Sequence, residues 1–305
     1  GPHPLEGPAV SYPRTTRALR EILDRHGLAP RKRHGQNFLT DVQAVDAIVR
    51  DAGVRSRDHV VEVGTGVGLL THALASTGAR VSSFEVDADM LELTRGLEPW
   101  PERVTFVEGD VLAGKHALAP AFVRALEAWP EPPGRLLVVS NLPYGAGTPI
   151  LLGMLALPRP PAELVVMLQR EVAEKLLAEP GTRAYGAPSV AVGLKAEGRI
   201  LRRFGPEVFW PRPKVQSAVL RLVPHGEAPI EVGEHDPFGR FVTALFSRRR
   251  KVLRAALKGT HPVLDPDVVH QGLEAAGIDA KARVETVPPA ALLDLWRALG
   301  RPEPS

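Results

Sequence analysis

Apolar and polar positions alternate in blocks along the chain, and these blocks predict helices and strands in turn. An amphipathic segment begins at Thr16 and stops at Gly27, which predicts a first helix. Apolar residues at helical spacing predict a second helix from about Asp41 through Ala52. The stretch HVVEVGTGVGLLTHALASTGARVSSFEVD then has the pattern of a strand, a glycine-rich turn, a helix and another strand, which together form a βαβ unit.

Further short apolar runs predict more strands, with helical segments between them. These runs are RVTFVEGD, RLLVVSN and AELVVMLQ, and we expect PSVAVGLKAEGRILRRF and VQSAVLRLV to be strands that close the domain. Strands that alternate with helices predict an α/β fold with a mostly parallel, doubly wound, Rossmann-like sheet.

The pattern becomes helical after Asp236. Apolar residues recur there at the i, i+3, i+4, i+7 and i+8 positions of one helix face: Phe238, Phe241, Val242, Leu245 and Phe246. PDVVHQGLEAAG and PPAALLDLWRALG continue this pattern. We therefore expect a larger domain over 1–224, with an N-terminal extension and helix at 1–30, and a small helical domain over 225–305.

Composition narrows the possible classes of protein. The 305 residues are 44% hydrophobic and 24% charged, and no apolar run approaches the roughly 20 residues of a membrane span. The first residues, GPHPLEG, lack the apolar segment of a secretory leader, and Gly1 and Pro2 are assigned to no element. With no cysteine, and ten histidines without metal-ligand spacing, we expect a cytoplasmic protein that needs no metal and has no membrane partner.

Positive charge is concentrated near the C-terminal end, although the net charge is only +3. Between Arg240 and Lys258 there are seven lysines and arginines and no acidic residue. Such a run often marks nothing more than a solvated helix face. The absence of acidic residues favours a polyanionic partner such as nucleic acid.

The glycine-rich turn EVGTGVG, which contains Gly64 and Gly66, predicts a nucleotide-type site above the first strand. A dinucleotide fingerprint would need glycine where the chain has Leu69, which weakens the case for NAD. Glu85 lies about 20 residues further on, the usual distance for a carboxylate that binds ribose hydroxyls. Asp110 ends the next strand and could accept a hydrogen bond from an adenine amino group. Each carboxylate alone could equally be a capping or solvated strand-end residue.

The segment SNLPYG ends another apolar strand with a carboxamide, a proline and an aromatic ring. Asn and Pro commonly end strands, so a purely structural role is possible. The alternative is a pocket for a flat, amine-bearing base. In it Asn141 and the carbonyl of Leu142, held by Pro143, accept hydrogen bonds while Tyr144 stacks on the ring.

Taken together, GQNFL, EVGTGVG, FEVD, EGD, SNLPYG and FWPRPKVQSAVLRLV resemble, in this order, the KsgA-type family of ribosomal RNA adenine N6,N6-dimethyltransferases. The resemblance extends from about residue 31 through 258. It implies a methyltransferase domain with a small helical domain and S-adenosylmethionine as methyl donor. The implied substrate is two adjacent adenosines near the 3′ end of 16S rRNA in the immature small ribosomal subunit, and we expect the enzyme to be a monomer.

The resemblance also implies which residues form the site. Those expected to bind the donor are Asn37, Leu39, Gly64, Gly66, Glu85, Asp110 and Asn141. Those expected at the reacting base are Asn141, Leu142, Pro143, Tyr144 and Phe209, where Phe209 matches the family's second stacking ring and could instead be a core residue. The clustering of positive charge, rather than the resemblance, predicts the contacts to RNA phosphates, which are Arg31, Lys32, Arg33, Lys214, Arg248, Arg249, Arg250 and Lys251.

Two other interpretations remain open from the sequence. SNLPYG alone would also suit an amino-methyltransferase that acts on another nucleic acid or on a small molecule, although the basic helical segment argues against a small substrate. The chain could also be an RNA-binding assembly factor whose donor site no longer turns over. Intact Glu85, Asp110 and Asn141 argue against that interpretation without proving turnover.

Overall fold

The computed structural model describes residues 15–31, 36–115, 117–227 and 229–304, which contain twelve α-helices and nine strands. The helices are α1 Thr16–Arg25, α2 Val42–Ala52, α3 Leu69–Ser76, α4 Ala88–Gly96, α5 Pro120–Glu127, α6 Gly147–Leu155, α7 Arg170–Leu176, α8 Ala187–Lys195, α9 His235–Phe246, α10 Leu253–Thr260, α11 Pro266–Ala275 and α12 Pro289–Ala298. The strands are β1 Phe38–Leu39, β2 His59–Val63, β3 Arg80–Glu85, β4 Val104–Glu108, β5 Leu136–Asn141, β6 Glu163–Gln169, β7 Ala196–Phe204, β8 Phe209–Trp210 and β9 Ser217–Pro224.

Seven of the strands form one sheet in the order β4-β3-β2-β5-β6-β9-β7. Strands β2 to β6 pair in parallel, and β2 is fully buried along its length. The chain builds outward from β2 to β3 and β4 on one side, and then returns to β5 and β6 on the other. The order therefore reverses between β2 and β5, where open α/β sheets bind their ligands. The α/β prediction is confirmed.

Helix boundaries follow the local sequence. The Thr15 hydroxyl caps α1 by accepting from Ala18, and Gly27 takes a left-handed φ of +64° just after the helix. Asp41 caps α2 in the same way, and Gly53 ends it with a left-handed conformation. Both predicted helices are confirmed, as is the apolar face of α9.

The predicted strand over PSVAVGLKAEGRILRRF is wrong in its first half. Residues Ala187–Lys195 form α8, and only Ala196–Phe204 form a strand. Valines at alternating positions suggested a strand, but Pro188 stands in the first helical turn, where its fixed φ favours a helix. Val190 and Leu194, four residues apart, are both buried on one face. Packing of that face outweighs the β propensity of valine.

The chain forms two compact units. The first comprises the described residues through Ile150 together with Pro161–Arg170 and Ile200–Arg221. The second comprises Leu151–Pro160, Glu171–Arg199 and the described residues from Leu222. The chain passes several times from one unit to the other. The last passage, after Arg221, lies near the boundary that the sequence places at 224, but no pattern in the sequence marks the earlier passages. The assignment of 225–305 as a separate RNA-binding domain stays a prediction.

Each unit has its own apolar core. In the first, α1, α2 and α3 pack with the sheet, and Leu23, Ile48 and Leu74 are almost fully buried. In the second, Phe241, Leu257 and Trp296 are buried at the centre of a helical cluster. Within the described residues, no helix has the length and apolar character needed to cross a bilayer.

Candidate active site

An open cleft lies at the carboxyl ends of the parallel strands. Ten of the residues predicted for the site line it together: Asn37, Leu39, Gly64, Gly66, Glu85, Asp110, Asn141, Leu142, Pro143 and Tyr144. They come from β1 and from the ends of β2, β3, β4 and β5. Parallel strands bring their carboxyl ends to one edge, which is why segments far apart in sequence meet here.

Glu85 is buried at the end of β3 with its carboxylate held by the backbone. Its Oε2 accepts from the Gly66 N–H at 2.8 Å, and its Oε1 accepts from the Asp87 N–H at 3.0 Å. Burial raises the pKa of Glu85, and these two hydrogen bonds oppose that effect. Each carboxylate oxygen has a second lone pair, so both can still accept from ligand hydroxyls.

Glu62, at the end of β2, forms a neutral part of the cleft lining. Its Oε2 accepts from the hydroxyls of Thr71 and Ser83 at 2.6 and 2.7 Å. Complete burial raises the pKa of Glu62 to about 8, so the carboxyl is mostly protonated at neutral pH. This leaves Glu85 as the buried carboxylate suited to ligand hydroxyls.

The glycine-rich turn needs glycine for two physical reasons. Gly64, Gly66 and Gly68 all have positive φ, between +53° and +82°. A Cβ on Gly66 would also lie 3.1 Å from the Phe38 ring. The turn can therefore lie against β1 where it lines the cleft. Across the cleft, Asp110 is exposed, and its Oδ1 accepts from the Leu112 N–H at 2.9 Å.

Asn141 ends β5 and is oriented by the segment that contains β1. Its Nδ2 donates to the backbone carbonyl of Asn37 at 3.2 Å. That bond uses the donor side of the amide, so Oδ1 is the atom that can accept from a ligand. The next residue, Leu142, is buried, and its N–H donates to Met167 of β6 at 2.9 Å. The turn into Pro143 is thus fixed to the sheet.

Tyr144 lines the cleft and is oriented by a residue that the sequence did not single out. Its hydroxyl lies 2.9 Å from Oγ of Ser217, a fully buried residue at the start of β9. Burial raises the pKa of Tyr144, and the hydrogen bond to Ser217 opposes this. The bond connects SNLPYG to the end of FWPRPKVQS. Only its place in the motif FWPRPKVQSAVLRLV could have identified Ser217, since 73 residues separate it from Tyr144.

Phe209 does not line the cleft. It is 2% exposed and belongs to the apolar core of the first unit. It pairs with Leu39 in a two-stranded antiparallel sheet of β1 and β8, an element that the sequence did not predict because each strand has only two residues. The structure thus places Phe209 beside Leu39, which lines the cleft. Its role as a second stacking ring stays a prediction.

The predicted RNA contacts of the first unit fall into three groups. Lys32 and Arg33 lie outside the described residues. Lys214 is exposed in the segment between β8 and β9. Arg31, by contrast, contacts two carboxylates of the same unit, Asp87 at 2.8 Å and Asp89.

The basic residues of the second unit are not equivalent. Arg248, Arg250 and Lys251 are exposed between α9 and α10. Arg249 is ion-paired with Glu285 at 2.8 Å and also donates to the Thr182 carbonyl. Arg249 therefore has a structural partner that the charge pattern alone could not reveal.

Several other cleft residues were not predicted. Gln36, Phe38 and Thr65 lie within the predicted motifs, so their positions in those motifs could have identified them. Val86 is 46% exposed, unusual for valine, and lies between Glu85 and Asp87 at the cleft. It too lies within a quoted motif, FEVD, and could have been identified by its position there. Among the described residues, no group of histidine or acidic side chains could hold a metal ion.

Comparison with known sequences gives a consistent result. The family model for "Ribosomal RNA adenine dimethylase" matches residues 27–300. A curated relative from Anaeromyxobacter sp. (strain K), named "Ribosomal RNA small subunit methyltransferase A", is 41% identical over 92% of this chain and 97% of its own. A relative of the same name from Geobacillus thermodenitrificans is 36% identical over 92% of this chain and 94% of its own.

Two solved structures are similar over most of the chain. The 23S rRNA methyltransferase ErmE is 25% identical with a TM-score of 0.60, covering 87% of this chain and all of its own. A dimethyladenosine transferase from Plasmodium falciparum has a TM-score of 0.68 at 22% identity, covering 85% of this chain and 96% of its own. The second likeness concerns the fold alone.

Proposed function

Because this chain belongs to the ribosomal RNA adenine dimethylase family, we propose that it dimethylates N6 of two adjacent adenosines near the 3′ end of 16S rRNA. The methyl donor is S-adenosylmethionine, and the substrate is the immature small ribosomal subunit in the cytoplasm. The enzyme acts as a monomer without a metal. The observation that supports this proposal most is that ten residues predicted from five separate motifs line one cleft.

The cleft residues fit the donor. Glu85 offers a buried carboxylate for two ribose hydroxyls, Asp110 an acceptor for the adenine amino group, and Gly64 and Gly66 permit close approach. Bound S-adenosylmethionine supplies a methyl group on a sulfonium, whose neutral thioether leaves readily. The protein's task is therefore to position the amine and to polarise it.

An adenine amine is a weak nucleophile because its lone pair is delocalised into the ring. Asn141 Oδ1 and the Leu142 carbonyl accept from the two N6 hydrogens, which favours a pyramidal nitrogen with an available lone pair. Tyr144 stacks on the base, a contact worth roughly 1–3 kcal/mol. The target adenosine must leave its RNA stack to reach this cleft. The methylated aminium is acidic enough to lose its proton afterwards, so attack requires no general base.

Replacing Phe209 with leucine tests two roles against each other. In one role its ring stacks on the target base and clamps it, and in the other it is only a core residue. Leucine keeps most of the buried apolar volume, so we expect a folded protein with unchanged donor affinity. After the first methylation N6 keeps one hydrogen, so stacking must hold the base for the second. The clamp role therefore predicts that Phe209→Leu accumulates monomethyladenosine, measured by mass spectrometry of digested RNA. If the ratio of dimethyl- to monomethyladenosine equals that of the wild type, Phe209 is a core residue only.

Exposed cations of the second unit should supply RNA affinity. Replacing Arg248 and Arg250 together with alanine should weaken RNA binding and reduce the slope of log affinity against log salt by about 1 for each phosphate that the protein no longer neutralises. Arg249→Ala is the matched control, since it removes an equal type of charge that is already paired with Glu285. If the double variant keeps the wild-type slope, these arginines form only a solvated face.

A second candidate substrate is 23S rRNA, because the structure of a 23S rRNA methyltransferase resembles this chain at 25% identity. The two sequence relatives at 41% and 36% identity carry the small-subunit name instead. Labelled S-adenosylmethionine incubated with 16S or 23S rRNA in parallel distinguishes the two. We expect methylation of 16S rRNA, and label confined to 23S rRNA would favour the second candidate.

A further inference from the structure

We propose that Arg31 is a positioning residue of the donor site and not an RNA contact. It would act by holding the segment Gln36–Leu39 over the cleft. The proposal rests on the proposed function in one respect, because it takes the cleft to be the donor site.

The contacts of Arg31 centre on Asp87. Asp87 is 3% exposed at the start of α4, two residues after Glu85. Its Oδ1 accepts from Arg31 Nη1 at 2.8 Å, and its Oδ2 accepts from Gln36 Nε2 at 3.0 Å. The backbone N–H of Arg31 donates in turn to Gln36 Oε1 at 2.7 Å. Arg31, Gln36 and Asp87 therefore form a closed ring of hydrogen bonds.

This ring connects the two sides of the cleft. On one side, the Asp87 N–H donates to Oε1 of Glu85. On the other, the chain continues from Gln36 to Asn37, whose carbonyl accepts from Asn141. Residues 36–39 all line the cleft. Fixing their N-terminal end at Asp87 therefore pre-positions the cleft wall and lowers the entropic cost of binding.

The charges around Arg31 also disfavour a phosphate contact. Its guanidinium donates through Nη1 to Asp87 and through Nη2 to Asp89, so two carboxylates already balance its charge. The negative charge of the two carboxylates also repels a phosphate that approaches the same guanidinium. Arg31 would then add little to RNA affinity.

The test is calorimetric titration of S-adenosylmethionine into four proteins. We expect Arg31→Ala to raise the donor Kd about tenfold, the fold-change for losing roughly 1.4 kcal/mol of charge-assisted hydrogen bonding. Arg17→Ala is the matched control, since it removes an exposed arginine of the same unit that is ion-paired with Glu21. Asp89→Asn removes one of the two carboxylate partners of Arg31 and should give an intermediate Kd. Wild-type protein provides the reference.

Four further readouts separate positioning from general destabilisation. Arg31→Ala should raise the donor KM while keeping kcat at saturating donor, and Arg31→Lys should recover part of the affinity. Amides of residues 36–39 should exchange hydrogen faster in donor-free Arg31→Ala than in Arg17→Ala. The salt slope of RNA binding should equal that of Arg17→Ala.

A donor Kd for Arg31→Ala equal to that of Arg17→Ala, with a flattened RNA salt slope, would overturn the proposal and make Arg31 a phosphate contact. If the wild-type protein binds no S-adenosylmethionine, the donor assignment itself is wrong. The two failures can be told apart, because comparing Arg31→Ala with Arg17→Ala requires a wild-type protein that does bind the donor.

Discussion

Asn141→Ala should abolish both methylation products while leaving a folded protein. The Asn141 side chain is the acceptor that we assign to the amine, and removing one preorganised polar partner of a reacting group costs on the order of 100- to 1000-fold in rate. Alanine also removes the donation to the Asn37 carbonyl. Single-turnover methyl transfer from labelled donor to rRNA measures the effect, with thermal melting as the check on folding.

Asn141→Asp is the matched control for that experiment. It keeps a side-chain acceptor of nearly the same shape but loses the N–H that donates to Asn37. We expect Asn141→Asp to retain measurable transfer and Asn141→Ala to show almost none. Equal activity of the alanine variant and the wild type would remove Asn141 from the chemical step.

Glu85→Gln should weaken donor binding by about 2 kcal/mol, close to a 30-fold rise in Kd, because the ribose hydroxyls no longer meet a charged acceptor. Glutamine is preferred to alanine here, since its side-chain oxygen can still accept from one of the two N–H groups of Gly66 and Asp87, whereas alanine leaves both without an acceptor. Calorimetric titration measures the change directly. An unchanged Kd would show that Glu85 does not bind the donor.

The wild-type protein and Glu85→Gln also test how donor affinity depends on pH. Burial raises the pKa of Glu85, so its carboxylate takes up a proton at a higher pH than an ordinary glutamate does. Donor affinity of the wild type should therefore fall as the pH is lowered through the raised pKa of Glu85, because the acceptor becomes neutral. Glu85→Gln has no carboxylate to titrate and should show a flatter dependence over the same range.

Sequence alone predicted the cleft residues that lie next to a strand end in the chain. Glu85, Asp110 and Asn141 each end or follow a strand, and the parallel sheet then brings them together without further information. The helices at Thr16 and Asp41 were predictable for a similar reason, since capping and periodicity are local.

Long-range contacts explain what the sequence did not reveal. Tyr144 and Ser217 are 73 residues apart, and Arg31 and Asp87 are 56 apart. Neither separation corresponds to a helix or strand period or to a motif spacing, so the sequence does not show that these residues meet. Arg31 and Arg249 were assigned to RNA with their basic neighbours because a charge is visible in a sequence and its ion-pair partner is not. Alternating valines misled the prediction for α8, where burial of one helix face decided the conformation.

Mapping the modified bases on the proposed substrate shows whether this protein dimethylates 16S rRNA. Immature small subunits that lack the modification are incubated with labelled S-adenosylmethionine and either wild-type protein or Asn141→Ala, and the digested 16S rRNA is analysed by mass spectrometry. We predict N6,N6-dimethyladenosine at two adjacent positions near the 3′ end with the wild-type protein and neither product with the variant. A wild-type protein that binds these particles and the donor but leaves every adenosine unmodified would contradict the account.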